Sequence, residues 1–165
     1  MRTLVPLIMF VSAMMIQNSI ITRLNMLYGA ADLMMLVLLS WILQAESQKL
    51  RWAVVVGLLV GISSALPFWL PVIGYLILAG MVSFVQQKLW QVPIWLLLIS
   101  TFVGSFMIYG IETIYLWVSG VPLDLVQVLN IVILPSLVLN MLMVLPVYGL
   151  VGEVAKTVYP REVEI

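Results

Sequence analysis

Two carboxylates and one amide interrupt long apolar stretches of this sequence. They are the side chains most able to bind a proton, an ion or a partner. Glu112 lies about six residues before the end of one apolar run, and Asp32 and Asn140 lie in two others. Polar groups inside a bilayer are costly, so each of them needs a role. Glu112 could bind a proton or a cation, contact a partner helix, or be a carboxyl near the headgroups that is protonated or paired internally.

Asp32 is the only candidate for the second ionisable group that ion transport usually requires at a similar depth. A carboxylate at a helix start, favoured by the helix dipole, is the simpler interpretation of Asp32. Asn140 is expected to hydrogen-bond another helix, either within the same bundle or in another subunit. Pro135 and Pro146 bracket Asn140. Each proline should bend its helix, and such bends could line a cavity.

Gly57 and Gly61 form a small-residue pair four positions apart. Such a glycine face lets a second helix approach closely, either inside the bundle or on another protein. The motif is common in membrane helices, and internal packing is the simpler interpretation.

Several classes of chemistry are excluded by the composition. The chain has no Cys and no His, which removes thiol nucleophiles, disulfides and nearly all zinc sites. No phosphate-binding loop, dinucleotide motif or serine with a nearby base is present. The net charge is zero, so no basic stripe points to nucleic acid. We therefore predict a protein that is not an enzyme and has no cofactor, no metal and no nucleic-acid partner.

The elements that position these residues are predicted to be membrane-spanning helices. Hydrophobic residues make up 64% of the 165 residues, charged residues make up 8%, and the mean hydropathy is +1.22. A globule of this size cannot bury that much apolar surface, so the excess must contact membrane lipid. We predict an all-α, compact bundle of six transmembrane helices in a single domain, residues 1–152, followed by a short cytoplasmic tail, residues 153–165. The predicted spans are residues 4–21, 31–44, 52–66, 72–86, 93–117 and 125–150.

Six of the seven Lys and Arg residues fall on one side of this scheme. Because positive residues near span ends stay cytoplasmic, both termini are predicted to be cytoplasmic. Arg23 alone lies in an odd-numbered connection, which marks it as a candidate external contact. Fusing the third and fourth spans across Pro67 and Pro71 would give five spans and destroy the charge bias. The six cations are Arg2, Lys49, Arg51, Lys88, Lys156 and Arg161.

The stretch from Leu134 to Pro146 resembles the last span of the MreD family of bacterial rod shape-determining proteins. That family carries a proline, two to four apolar or small residues and then an asparagine, as in Pro135 to Asn140. Residues 31–41 are similar to its second span, and Gly57–Gly61 followed by Gly74-Tyr75 resembles its glycine-bearing third and fourth helices. Glu112 lies where the fifth helix often has an acid. One departure is Ala65, where many members have an acidic residue.

The resemblance implies a membrane scaffold or regulator of lateral peptidoglycan synthesis and rod cell shape, in the bacterial cytoplasmic membrane. It implies binding to MreC and, through the complex, to RodA and a class B penicillin-binding transpeptidase. It also implies a fold similar to the substrate-binding subunits of energy-coupling-factor transporters. Two alternatives stay open: a vitamin-binding subunit of such a transporter, and a small ion or proton channel built around Glu112.

Overall fold

A computed structural model describes residues 3–21, 29–44, 48–88 and 93–159. Across this part of the chain the structure is helical and contains no strand. The last three helical segments follow one another without interruption, so the described residues form six helical runs. The segments are α1 (Leu4–Ile21), α2 (Leu33–Gln44), α3 (Lys49–Ser63), α4 (Trp69–Lys88), α5 (Pro93–Val118), α6 (Leu125–Val128), a π-helical segment (Leu129–Ile133) and α7 (Leu134–Val158).

Helix α2 is the centre of the bundle. It contacts α1, α3, α4, α5 and α7, and these five helices also contact one another in a closed ring in the order α1, α3, α4, α5, α7. Ten consecutive residues of α2, from Met34 to Leu43, are buried. A helix that is apolar on all sides is suited to such a buried position or to lipid.

The ring helices turn apolar side chains outward. Large exposed hydrophobic residues occur on each of them, whereas α2 exposes none. Examples from the five helices are Ile8, Ile62, Phe84, Phe102 and Leu142. Among the described residues, three stretches are long and apolar enough to cross a membrane by length and composition: Trp69–Gln87, Ile94–Val118 and Leu125–Val158. Leu4–Ser19 and Leu33–Gln44 are apolar but shorter.

Several predicted helix ends shift in the structure. Helix α2 begins at Leu33 rather than at residue 31, and α3 runs from Lys49 to Ser63 rather than over 52–66. Helix α4 begins at Trp69, so Pro71 lies in its first turn and not in the preceding connection. A proline is tolerated there because first-turn N–H groups have no partner within the helix.

The chain after Gly152, predicted as a tail, is helical as far as Val158. Val151, Ala155 and Val158 are buried on the side of α7 that faces the core. The ring of Tyr159 lies 6.2 Å from that of Trp41 on α2. Helix α7 therefore extends beyond the apolar run from which its end was predicted, because its last turns pack against the core.

A π-helical turn lies immediately before Pro135. The Leu134 N–H bonds the Leu129 carbonyl five residues earlier. A π turn is rare and occurs mostly as a single turn inside an α-helix, and both such turns and prolines are common sites of helix kinks. Pro146 lies inside α7.

Candidate functional site

The least regular part of the core is the non-helical segment of residues 29–32, which leads into α2. Three of its backbone polar groups form hydrogen bonds with side chains from neighbouring helices. The Ala30 N–H donates to Ser136 Oγ at 3.0 Å, and the Ala30 carbonyl accepts from the Tyr109 hydroxyl at 3.1 Å. The Asp32 N–H donates to Asn140 Oδ1 at 2.8 Å. These bonds agree with the expectation that irregular backbone at membrane depth is bonded inside the protein.

Asp32 links this segment to α2 and α4. Its Oδ1 accepts from the Met35 N–H at 2.9 Å, which caps the first turn of α2. Its Oδ2 accepts from the Tyr75 hydroxyl on α4 at 2.7 Å. The Met34 N–H, also in the first turn, donates to Gln17 Oε1 on α1 at 3.0 Å. Asp32 is only 8% exposed, and both of its carboxyl oxygens accept a hydrogen bond.

Asn140 joins α7 to α5 as well as to residue 32. Its Nδ2 donates to Ser105 Oγ at 2.9 Å, and Ser105 in turn donates to the Thr101 carbonyl at 2.8 Å. Asn140 and Ser105 are fully buried. The amide of Asn140 therefore uses both ends on partners inside the same chain.

Pro135 contributes to the site by close packing. A Cβ placed on Gly29 would lie 2.7 Å from Pro135 Cβ and 2.8 Å from the Ser136 backbone nitrogen. Contacts this short exclude any side chain at position 29. Gly29 thus lets the segment before α2 reach the hydrogen-bonding groups of α7.

Glu112 lies on α5 beside this network and is half-buried. It lies three residues after Tyr109, whose hydroxyl bonds the Ala30 carbonyl. In the described part of the chain no group of three or more His, Cys, Asp or Glu side chains could hold a metal ion.

The network lies below one end of the bundle, which we call the Trp69 end. There the rings of Trp69 on α4 and Tyr115 on α5 lie 5.8 Å apart. Tyr75 and Tyr109 are each six residues from that ring pair along their helices. At 1.5 Å per residue, the network lies about 9 Å inside the bundle.

The opposite end of α2 is also bonded by side chains. Gln44 Nε2 donates to the Tyr148 carbonyl on α7 at 3.1 Å, and Gln86 Nε2 on α4 donates to the Leu43 carbonyl at 3.2 Å. Lys49 Nζ donates to Gln86 Oε1 at 2.6 Å. Both ends of the central helix are therefore held by neighbouring helices.

The glycine pair of α3 packs inside the bundle. A Cβ at Gly57 would lie 2.5 Å from the Val72 Cα, and one at Gly61 would lie 3.0 Å from the Phe68 Cα and carbonyl oxygen. Both glycines therefore face the beginning of α4. Arg23, the candidate external contact, lies outside the described residues.

An apolar groove of about 100 Å³ opens between α4 and α5. Apart from Ser100 its lining is aliphatic or thioether, so it suits hydrocarbon rather than a polar ligand. The lining residues are Leu78, Met81, Val82, Val85, Leu96, Ile99, Ser100 and Val103.

The sequence did not single out several members of the network, among them Gln17, Ser105 and Ser136. Serine and threonine hydroxyls in apolar helices usually bond the backbone of their own helix. The presence of a serine in such a helix therefore does not predict a bond to another helix. The sequence does mark Tyr75 and Tyr109 as unusual. They lie inside apolar runs, whereas the tyrosines of membrane helices concentrate at the ends.

No protein-family model matches this sequence, and no curated protein or solved structure matches it. The functional argument therefore rests on the residues and their geometry.

Proposed function

We propose that this chain is an integral membrane protein related to the MreD family, and that it acts as a non-catalytic scaffold of lateral peptidoglycan synthesis. It would lie in the bacterial cytoplasmic membrane with both termini cytoplasmic. It would bind MreC and, through the complex, RodA and a class B penicillin-binding transpeptidase. The six helical runs and the apolar outer surface of the ring agree with this proposal.

The observation that supports it best is the convergence of the residues that carry the resemblance. Asn140 bonds residue 32, Asp32 bonds Tyr75, and Pro135 packs on the segment before α2. Segments that resemble the family separately in sequence therefore meet in one network. The polar groups of that network bond one another, which leaves the apolar outer surface and the helix ends for contact with partners.

The length of the second crossing also fits a bilayer. Helix α2 has 12 residues, or about 18 Å at 1.5 Å per residue. The four non-helical residues before it add up to about 13 Å at 3.3 Å each. If these four residues run fully extended along the helix axis, the two parts together span at most about 30 Å, which is the thickness of a hydrocarbon core.

Two measurements in the host test the scaffold role. MreC should co-purify in mild detergent with the tagged chain, while an unrelated abundant membrane protein should not. Depleting the chain should turn rod-shaped cells round. Normal rods after depletion, together with no recovery of MreC, would contradict the proposal.

The topology has a direct test because the chain contains no native cysteine. Ser119→Cys places a thiol in the exposed turn after α5, and Glu153→Cys places one at the other end of the bundle. A membrane-impermeant thiol reagent should label Ser119→Cys in intact cells and label Glu153→Cys only after permeabilisation. The charge bias also predicts that Arg23→Gln leaves this pattern unchanged. The reverse labelling would overturn the orientation.

A transporter subunit is the second candidate, in line with the proposed likeness to energy-coupling-factor binding subunits. A vitamin would need free polar partners on the external side, and the polar groups of the network near the Trp69 end already bond one another. Against it, the groove between α4 and α5 is apolar. Retention of a vitamin through purification would favour this role over the scaffold.

A third candidate is an ion or proton pathway built around Glu112, a half-buried carboxyl within α5. Flux through liposomes containing the purified chain should then be lost in Glu112→Gln. Absence of flux, or flux that persists in the variant, would remove this candidate.

A further inference from the structure

The apolar groove between α4 and α5 lies on the outer surface of the bundle. Its rims are the outward-facing side chains of Met81, Ile99 and Val103, which are 45%, 58% and 40% exposed. Because these rim residues lie within the helices and not at their ends, the groove opens sideways. The floor consists of buried side chains, each at most 7% exposed: Leu78, Val82, Leu96 and Ser100.

The inner end of the groove lies where α4 and α5 touch. A Cβ placed on Gly104 would lie 2.9 Å from Leu78 Cδ1, so the Leu78 side chain packs directly on α5 at this level. From Leu78 the α4 wall of the groove continues to Val85, seven residues further on, which is about 10 Å. The groove therefore runs from this contact toward Lys88, the last residue of α4.

Lys49 marks the level of the lipid headgroups on this side of the bundle. Its Nζ lies 2.6 Å from Gln86 Oε1, and lysines near the ends of membrane helices keep their ammonium groups in the polar interface. Gln86 follows Val85 directly and lies eight residues after Leu78, or about 12 Å. One leaflet contributes about 15 Å of hydrocarbon, half of the core. The groove thus begins at headgroup level and stays within one leaflet.

The same side of the bundle is positively charged. Position 88 is the next after 78, 81, 82 and 85 on one face of α4, so Lys88 continues the groove wall in register. Glu153, which pairs with Lys156, is the one acid on this side in the described part of the chain. Cations at the membrane surface attract anionic lipids. The Lys and Arg residues of the described ranges all lie near helix ends on this side: Lys49, Arg51, Lys88 and Lys156.

We propose that this groove binds one acyl chain of an anionic phospholipid, taken from the leaflet next to Lys49. The apolar walls gain dispersion contacts with the chain, and the cations beyond Val85 select a negatively charged headgroup. A membrane-spanning helix of a partner would cross both leaflets, whereas the groove occupies only one. The site rests on the membrane location of the chain and not on the scaffold role.

Native mass spectrometry of the purified full chain in mild detergent tests the preference for a lipid. The chain is titrated with phosphatidylglycerol or with phosphatidylcholine. The first phosphatidylglycerol should bind at least about tenfold more tightly than further copies and than phosphatidylcholine. Lys88→Gln should reduce that difference between the two lipids. Equal affinities for both lipids, or no distinct first site, would overturn the proposal.

Two variants test the position of the site. Ser100→Leu fills the floor of the groove, and Val103→Trp covers it from the exposed rim, where a larger side chain does not overpack the core. Each should weaken binding of the first phosphatidylglycerol at least about tenfold. Ser12→Leu makes the same exchange as Ser100→Leu on the exposed side of α1 and should leave binding unchanged.

Unchanged lipid binding in a folded groove variant would place the lipid elsewhere and overturn the proposal. Val103→Trp keeps the test valid if Ser100→Leu fails to fold. Loss of self-association without loss of lipid would instead make the groove a contact between copies of the chain, which would also overturn it. Recovery of MreC is measured separately, so a failure here is distinguishable from a failure of the scaffold role.

Discussion

Replacing Asn140 with leucine tests whether the polar network holds the central helix in place. Leucine has a similar volume, so the change removes the amide without leaving a large cavity. The Asp32 N–H then loses its only acceptor, Asn140 Oδ1 at 2.8 Å. Ser105 loses less, because its hydroxyl still donates to the Thr101 carbonyl.

The magnitude follows from these two losses. A buried N–H left without a partner costs about 1–3 kcal/mol in proteins generally. Hydrogen bonds between membrane helices average about 0.6 kcal/mol and reach about 1.7 kcal/mol. We therefore expect Asn140→Leu to lower the free energy of unfolding by about 1–2 kcal/mol. The loss should lie at the upper end because the orphaned group belongs to non-helical backbone.

Reversible unfolding of the purified chain in mixed detergent micelles measures this free energy. Leu142→Ala is the matched control, since Leu142 is on the same helix and 68% exposed. Lipid or detergent can replace its contacts, so its loss should be small. If Asn140→Leu were no more destabilising than Leu142→Ala, the network would not hold residues 29–32 and the reasoning would be refuted.

Three further predictions use the same unfolding measurement. Gly57→Ala should lower the free energy of unfolding by at least about 2 kcal/mol, because the new Cβ would lie 2.5 Å from the Val72 Cα and the backbone of α4 would have to move. An unchanged free energy would contradict the close contact between α3 and α4. Gly110→Ala should raise the free energy of unfolding by up to about 1 kcal/mol, since the new Cβ would meet nothing within 4 Å and alanine favours a helix. A lower free energy of unfolding would contradict the open space beside Gly110. Asp32→Ala and Tyr75→Phe should be coupled by about 1 kcal/mol through their 2.7 Å hydrogen bond, and strictly additive effects would argue against that bond.

The helical fold class of the molecule was predictable from its sequence. Long apolar runs can satisfy their backbone only as helices in lipid, and this constraint is strong enough to be read from composition and spacing. The run from Leu4 to Ile21 has the predicted ends. The positions of the few polar groups, Asp32, Glu112 and Asn140, were also visible, because each stands out against apolar neighbours.

What each polar group contacts depended on the tertiary structure. Asp32 and Asn140 are 108 positions apart, and no periodic pattern brings the backbone of one to the amide of the other. The central position of α2 was equally hidden, since the apolar residues of a buried helix and of a lipid-facing helix look alike. Only the closure of five helices around α2 decides which apolar surface meets protein.

The sequence by itself therefore determined that this chain is helical, apolar and without cysteine and histidine, because those properties follow from residue types and local spacing. The tertiary structure decided that residues 29–32 stay non-helical inside the bundle and that Asn140 bonds the backbone of Asp32. It did so because buried backbone must find partners, and here those partners come from helices distant in sequence.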